Sequence, residues 1–250
     1  MAAEPVSCRT AYDDSFAHAA SQAGIEVLLV GDSLGMVLQG HSSTLPVTID
    51  DICYHTRCVA RGKERSLLMA DLPFMSNAST TRLLDDAGAL MRAGAEMVKI
   101  EGEAWLAEGI RELTRRGVPV CAHMGLTPQM VYQMGGYKVQ GRDAAQAERI
   151  IEGARELVAA GASIILLECV PASLGRAVRD AVDVPVIGIG AGPEVDGQIL
   201  VMHDVLGVSL GRIPRFSHNF LAETDSIGSA FRNYHEAVKA RRFPAEEHSF

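Results

Sequence analysis

Lys99 and Glu101 stand two residues apart in the run EMVKIEGE, residues 96–103, which otherwise has the apolar pattern of a core strand. Side chains alternate along an extended chain, so both point to one face, away from Val98 and Ile100. A lysine inside such a strand is costly unless it is paired. Four neighbouring runs end in groups of the same kind. Asp32 follows IEVLLVG (25–31), Asp71 follows SLLMA (66–70), His123 closes VPVCAH (118–123) and Glu168 follows SIILL (163–167). Carboxylate ligands suit a hard divalent cation, Mg2+ above all. Asp32, Asp71 and Glu101 are the candidate ligands, directly or through water. A cation there can chelate a 2-oxo acid and stabilise its enolate as a Lewis acid. Glu168 is the candidate base for the proton α to the carbonyl. His123 either hydrogen-bonds substrate or product or is a satisfied core histidine, two readings of equal weight.

Acids after strands also serve as helix N-caps. For one acid that explanation is an even bet; for five consecutive strand ends it is poor. What brings such groups together is a fold whose strand ends converge. Helical patterns closing on glycine alternate with short apolar strands: PVSCRTAY near the start, the runs 25–31, 66–70, 96–100, 118–123, 163–167 and 184–190, and LGVSL at 206–210. The helical pattern TIDDICYHTRCVARG opens with a capping box from Thr48 to Asp51. LMRAGAEMVKIE (90–101) aligns without gaps on LVAAGASIILLE (157–168), and SQAGIEVLLVGD (21–32) is a looser copy. A repeated αβ unit with continuous apolar strands implies a parallel sheet covered by helices, a (β/α)8 TIM barrel with its site at the strand C-termini. One barrel domain over 1–250 is expected, with an extra C-terminal helix from about 221.

The net charge of −8 and 5% aromatic content argue against nucleic-acid binding. No apolar run is long enough to span a membrane. MAAEPVSCRT has neither the apolar core of a signal peptide nor the length of a transit peptide, and the five scattered cysteines form no CxxC pair. A cytoplasmic enzyme with reduced thiols is the expectation. Two weaker motifs remain: GIGAG (188–192), a candidate anion cradle at a helix N-terminus, and GGYKVQG (135–141), a candidate lid. Met124, Met130 and Met134 are read as packing.

The motifs VGDSLGM (30–36), TLPVT (44–48), ADLPFM (70–75), MVKIEG (97–102), GLTPQ (125–129), GGYKVQG, LECVP (167–171), IGIGAG and DGQILVMHD (up to 204) together resemble the ketopantoate hydroxymethyltransferases over nearly the whole chain. The resemblance implies a (β/α)8 barrel, a homo-decamer, Mg2+, and transfer of a one-carbon unit from 5,10-methylenetetrahydrofolate to 3-methyl-2-oxobutanoate, giving 2-dehydropantoate for pantothenate synthesis. By motif it associates Asp32, Asp71 and Glu101 with the metal. Asp32, Ser33, Asp71 and Lys99 would contact the oxo acid, and Glu168 would be the proton acceptor. The sequence departs from the family pattern at Ser42, where an acid is usual, at Glu103, and at Ala122 and Met124, and the helix expected ahead of the first strand is largely missing. Two rivals stand beside this reading. One is a Mg2+-dependent oxo-acid lyase or mutase of the phosphoenolpyruvate mutase/isocitrate lyase type, whose KKCGH-type cysteine motif is absent. The other is a non-catalytic barrel, which the set of Lys99 and the carboxylates argues against.

Overall fold

A computed structural model describes residues 4–211 and 213–250, so part of the amino-terminal leader reading falls outside the described residues. The chain runs β1 (Val6–Thr10), α1 (Asp14–Gln22), β2 (Val27–Val30), α2 (Leu34–Val37), α3 (Ile49–Gly62), β3 (Leu67–Asp71), α4 (Thr80–Ala93) and β4 (Met97–Glu101). It continues with α5 (Ala107–Thr114), β5 (Val120–Gly125), α6 (Val131–Met134), α7 (Ala144–Ala159), β6 (Ile164–Glu168), α8 (Ala172–Ala181), β7 (Val186–Ile189), β8 (Gly197–Leu200), α9 (Met202–Val205) and α10 (Ile227–Lys239). The eight strands are parallel and close into a barrel in sequence order, β8 pairing back onto β1. Strands β2 and β4 are buried along their whole length, as expected of strands covered on both faces. The α3 N-terminus carries the expected capping box between Thr48 and Asp51.

The repeat is real in three dimensions. The segments 90–101 and 157–168 each comprise a helix end, a left-handed glycine (Gly94 or Gly161) and a strand, so Glu101 and Glu168 are equivalent last residues of β4 and β6. Lys99 takes the place of Leu166.

Three expectations are corrected. The eighth strand is GQIL at 197–200, not LGVSL at 206–210; the latter lies beyond α9 in no regular element, with Leu210 97% exposed. A Cβ at Gly197 would sit 2.4 Å from the Val6 carbonyl oxygen, so the close approach of β8 to β1 demands the residue that disguises the strand. GIGAG opens no helix: residues 190–196 turn directly from β7 into β8. The last helix begins at Ile227, capped by Ser226, behind a separate 3-10 turn at Phe220–Glu223. It covers β1 and β8, where the Tyr234 hydroxyl lies within hydrogen-bonding distance of the Cys8 and Gln198 carbonyls, at 2.7 and 2.9 Å. Among the described residues no helix is long and apolar enough to cross a membrane.

Candidate active site

The barrel register sets the site. Asp71, Glu101 and Glu168 are the last residues of β3, β4 and β6. Asp71 lies level with Lys99, and Glu101 level with His123. His123 is not a strand-end residue as expected, because β5 continues to Gly125. Its ring therefore sits deeper, between β4 and β6. Asp32 follows β2 by one glycine.

Lys99 Nζ lies 3.1 Å from Asp71 Oδ1, 3.3 Å from Glu101 Oε1 and 3.1 Å from His123 Nδ1. The Asp71 contact is a charge pairing, since Oδ1 has no aligned hydrogen bond. All four side chains are buried, and the lysine retains its charge only because anions surround it. Burial disfavours the ammonium, but Asp71, Glu101 and Asp32 outweigh it and raise its pKa above the ordinary lysine value. Burial likewise opposes ionisation of Glu101, yet Lys99 and His123 pull its pKa down to about 2. Asp32 and Asp71 go the other way. Burial raises both; repulsion from Glu101 and Asp71 adds to this at Asp32, while Lys99 only partly offsets it at Asp71.

Asp32 is held from two sides. Its backbone N–H donates to Asp71 Oδ2 at 2.9 Å, and Gln129 Nε2 donates to its Oδ2 at 2.8 Å. The Gln129 backbone N–H donates to Glu101 Oε2 at 3.1 Å. The neighbouring Ser33 hydroxyl is 2.9 Å from the Tyr12 hydroxyl. Gln129 and Tyr12 are the site residues that sequence reasoning missed. They sit in GLTPQ and in PVSCRTAY, runs whose spacing carries no chemical signature.

On the far side, Glu168 Oε2 is 3.3 Å from His123 Nε2, an ion-pair distance without directed hydrogen-bond geometry. Burial and Lys99 oppose a charge on the His123 ring, but Glu101 and Glu168 prevail and raise its pKa above the ordinary histidine value. Gly125 lies level with Glu168, where a Cβ would stand 2.4 Å from the Glu168 carbonyl oxygen. The 135–141 segment crosses this mouth. Tyr137 Oη reaches Met36 Sδ at 3.6 Å, and the Gln140 N–H donates to the Cys169 carbonyl at 2.9 Å. The structure thus brings Asp32, Ser33, Asp71, Lys99, Glu101, His123 and Glu168 to one end of the barrel.

Three buried carboxylates against one lysine leave a surplus of negative charge, and the donors are hard oxygens, which fits a divalent cation. Among the described residues no three such side chains already converge as a finished cage. Glu101 explains this: Oε1 faces Lys99 and His123, and Oε2 accepts from Gln129. Asp71 is engaged as well, its Oδ1 against Lys99 at 3.1 Å and its Oδ2 by the Asp32 N–H, which leaves Asp32 Oδ1 as the oxygen without a hydrogen-bond or ion-pair partner among the described residues.

A family model described as ketopantoate hydroxymethyltransferase matches residues 1–246. A 3-methyl-2-oxobutanoate hydroxymethyltransferase of Chromohalobacter salexigens is 78% identical over 249 residues, spanning 100% of this chain and 95% of that protein. One of Marinobacter nauticus is 62% identical over 247 residues, covering 99% and 94%. Among solved structures, 2,3-dimethylmalate lyase, a PEP mutase/isocitrate lyase superfamily member, superposes with a TM-score of 0.59 at 18% identity, over 79% of this chain and 75% of that one. That likeness concerns the barrel alone.

Proposed function

Since the chain belongs to the ketopantoate hydroxymethyltransferase family, we propose that it transfers a hydroxymethyl group from 5,10-methylenetetrahydrofolate to 3-methyl-2-oxobutanoate, consuming water and yielding 2-dehydropantoate and tetrahydrofolate. The observation that carries the reading is the grouping of Lys99 with Asp32, Asp71 and Glu101 at one barrel mouth, with Glu168 joined to it through His123.

Asp32, Asp71 and Glu101 would hold Mg2+, directly or through water. Bound there, Mg2+ supplies Lewis acidity toward the 2-oxo group and so acidifies C3. Lys99 and Ser33 bind the oxo acid, the ammonium offsetting the substrate's charge in a site that is otherwise anionic. Glu168 takes the C3 proton, with His123 Nε2 3.3 Å from its Oε2. Water releases the methylene carbon from both folate nitrogens, its oxygen staying on that carbon and its protons going to the nitrogens; the C3–H electron pair then forms the bond to that carbon, and the proton taken from C3 ends on the new hydroxyl. The 135–141 segment covers the mouth. We place the enzyme in the cytoplasm as a homo-decamer, in keeping with its free cysteines and with the family resemblance.

The test is release of tetrahydrofolate by the purified protein, with and without Mg2+ and with and without the oxo acid. Release that requires both is the expected result. No release with all components present, or cleavage of the oxo acid instead, overturns the reading and returns the lyase or mutase alternative.

A further inference from the structure

Gln129 reaches the metal-facing carboxylates from the opposite side of the mouth. Beyond β5, Leu126 N–H donates to the Glu168 carbonyl at 2.9 Å, and Pro128 starts a 3-10 turn over Pro128–Met130. That turn carries Gln129 to Asp32, 97 residues away in sequence, and to Glu101, 28 residues away. Its side-chain nitrogen spends both hydrogens, on Asp32 Oδ2 at 2.8 Å and on the Leu72 carbonyl at 3.0 Å. Both partners are acceptors, so the amide orientation is dictated by chemistry: the NH2, not the carbonyl, must face them. The backbone N–H fixes Glu101 Oε2 at 3.1 Å. One residue therefore ties together the loops that follow β2, β3 and β5 and the end of β4.

The consequence for Asp32 is specific. With Oδ2 held by Gln129, Oδ1 is the oxygen left without a partner among the described residues, and the bond orients the carboxylate plane. The same turn engages Glu101 Oε2. The position of Gln129 thus determines which carboxylate oxygens are available and which are not. We propose that Gln129 is a positioning residue that presents Asp32 and Glu101, as one preassembled set with Asp71, to the divalent cation; this rests on the metal-assisted reading above. Outer hydrogen bonds of this kind orient ligands and tune affinity.

The experiment uses the full-length enzyme and Mn2+ as the probe, its Kd measured by calorimetric titration without substrates, beside thermal melting and kinetics. Gln129→Met keeps the length, removes both side-chain donors and leaves the backbone N–H in place. It should fold and melt as wild type does, while its Mn2+ Kd rises about 10–100-fold. The apparent KM for the oxo acid should rise with it, and saturating Mn2+ should restore most of kcat. Gln129→Glu, which sets a carboxylate against two acceptors, should bind more weakly still. Gln129→Asn, one methylene shorter, should keep one of the two bonds and give an intermediate Kd. It serves as the test should the Met variant fail to fold. An unchanged Kd in a folded Met or Asn variant, with wild type binding Mn2+, overturns the positioning role and leaves the reaction assignment standing. A wild-type enzyme that binds no divalent cation overturns both.

Discussion

Glu101 and Glu168 occupy the same position in two copies of one αβ unit, yet one is locked and the other open. The Glu101 side chain is 2% exposed, with Lys99 and His123 on one oxygen and Gln129 on the other. The Glu168 side chain is 14% exposed and has His123 as its one ion-pair partner among the described residues. The difference traces to Lys99, which stands where the second copy has Leu166. Lys99, with His123 and Gln129, makes one glutamate part of a fixed charge cluster, while its counterpart has no lysine beside it.

Glu168→Gln preserves shape and removes the proposed base. The variant should still bind Mg2+ and the oxo acid. It should lose folate-independent exchange of the C3 proton with deuterated water, and turnover, by about 10²–10⁴-fold. Exchange followed by proton NMR at the wild-type rate would move the base elsewhere, with His123 next to test.

Lys99→Ala strips three buried carboxylates of their counter-ion. Breaking a buried pair from one side costs about 3–5 kcal/mol, so the variant should melt lower, and Mg2+ should recover part of the loss. The KM for the oxo acid should rise and kcat fall. Lys99→Arg should rescue incompletely, because a planar fork replaces a compact charge. Unchanged kinetics in Lys99→Ala would make the lysine a structural counter-ion only.

Asp32→Asn should stabilise the metal-free fold and cripple the enzyme. Burial and two neighbouring carboxylates oppose the Asp32 charge, and asparagine retains an oxygen for Gln129. A higher melting temperature without metal, together with lost Mn2+ binding, is the expected pair of results. A lower melting temperature would contradict the repulsion argument.

Behind the site, pH acts on stability through His203. Its ring packs against Tyr12 at 5.8 Å between centroids, and its Nδ1 is buried without a hydrogen bond. Burial lowers its pKa, and the nearby Arg9 guanidinium lowers it further. A histidine whose pKa is depressed by folding gains a proton more readily when unfolded. Stability is therefore present above the ordinary value of about 6.5 and is lost as pH falls below it. Urea midpoints between pH 8 and 5 should fall more steeply for wild type than for His203→Gln. Parallel curves would exclude the histidine.

Most of the site was legible because the apolar runs before Asp71, Glu101 and Glu168 leave little choice of strand, and strand ends in a closed barrel must meet. What escaped depends on distance in sequence. Nothing near Gln129 announces that its amide will reach Asp32; only the barrel's curvature brings them together. His123 was placed at a strand end because VPVCAH stops being apolar there, although Met124 and Gly125 continue β5. Strand β8 was missed because close packing against β1 requires a glycine where an apolar residue would have signalled a strand.

The direct passage from β7 to β8 also bears on how the chain folds during synthesis. The β1–β8 seam joins Val6–Arg9 to Gly197–Leu200, far apart in sequence. It is sealed from outside by α10, through Tyr234 to the Cys8 and Gln198 carbonyls. On the ribosome, β1 must therefore wait with one edge unpaired until Gly197–Leu200 have emerged. Until then the nascent chain is an open sheet with exposed edges, and until α10 follows, the outer side of the closed seam stays uncovered.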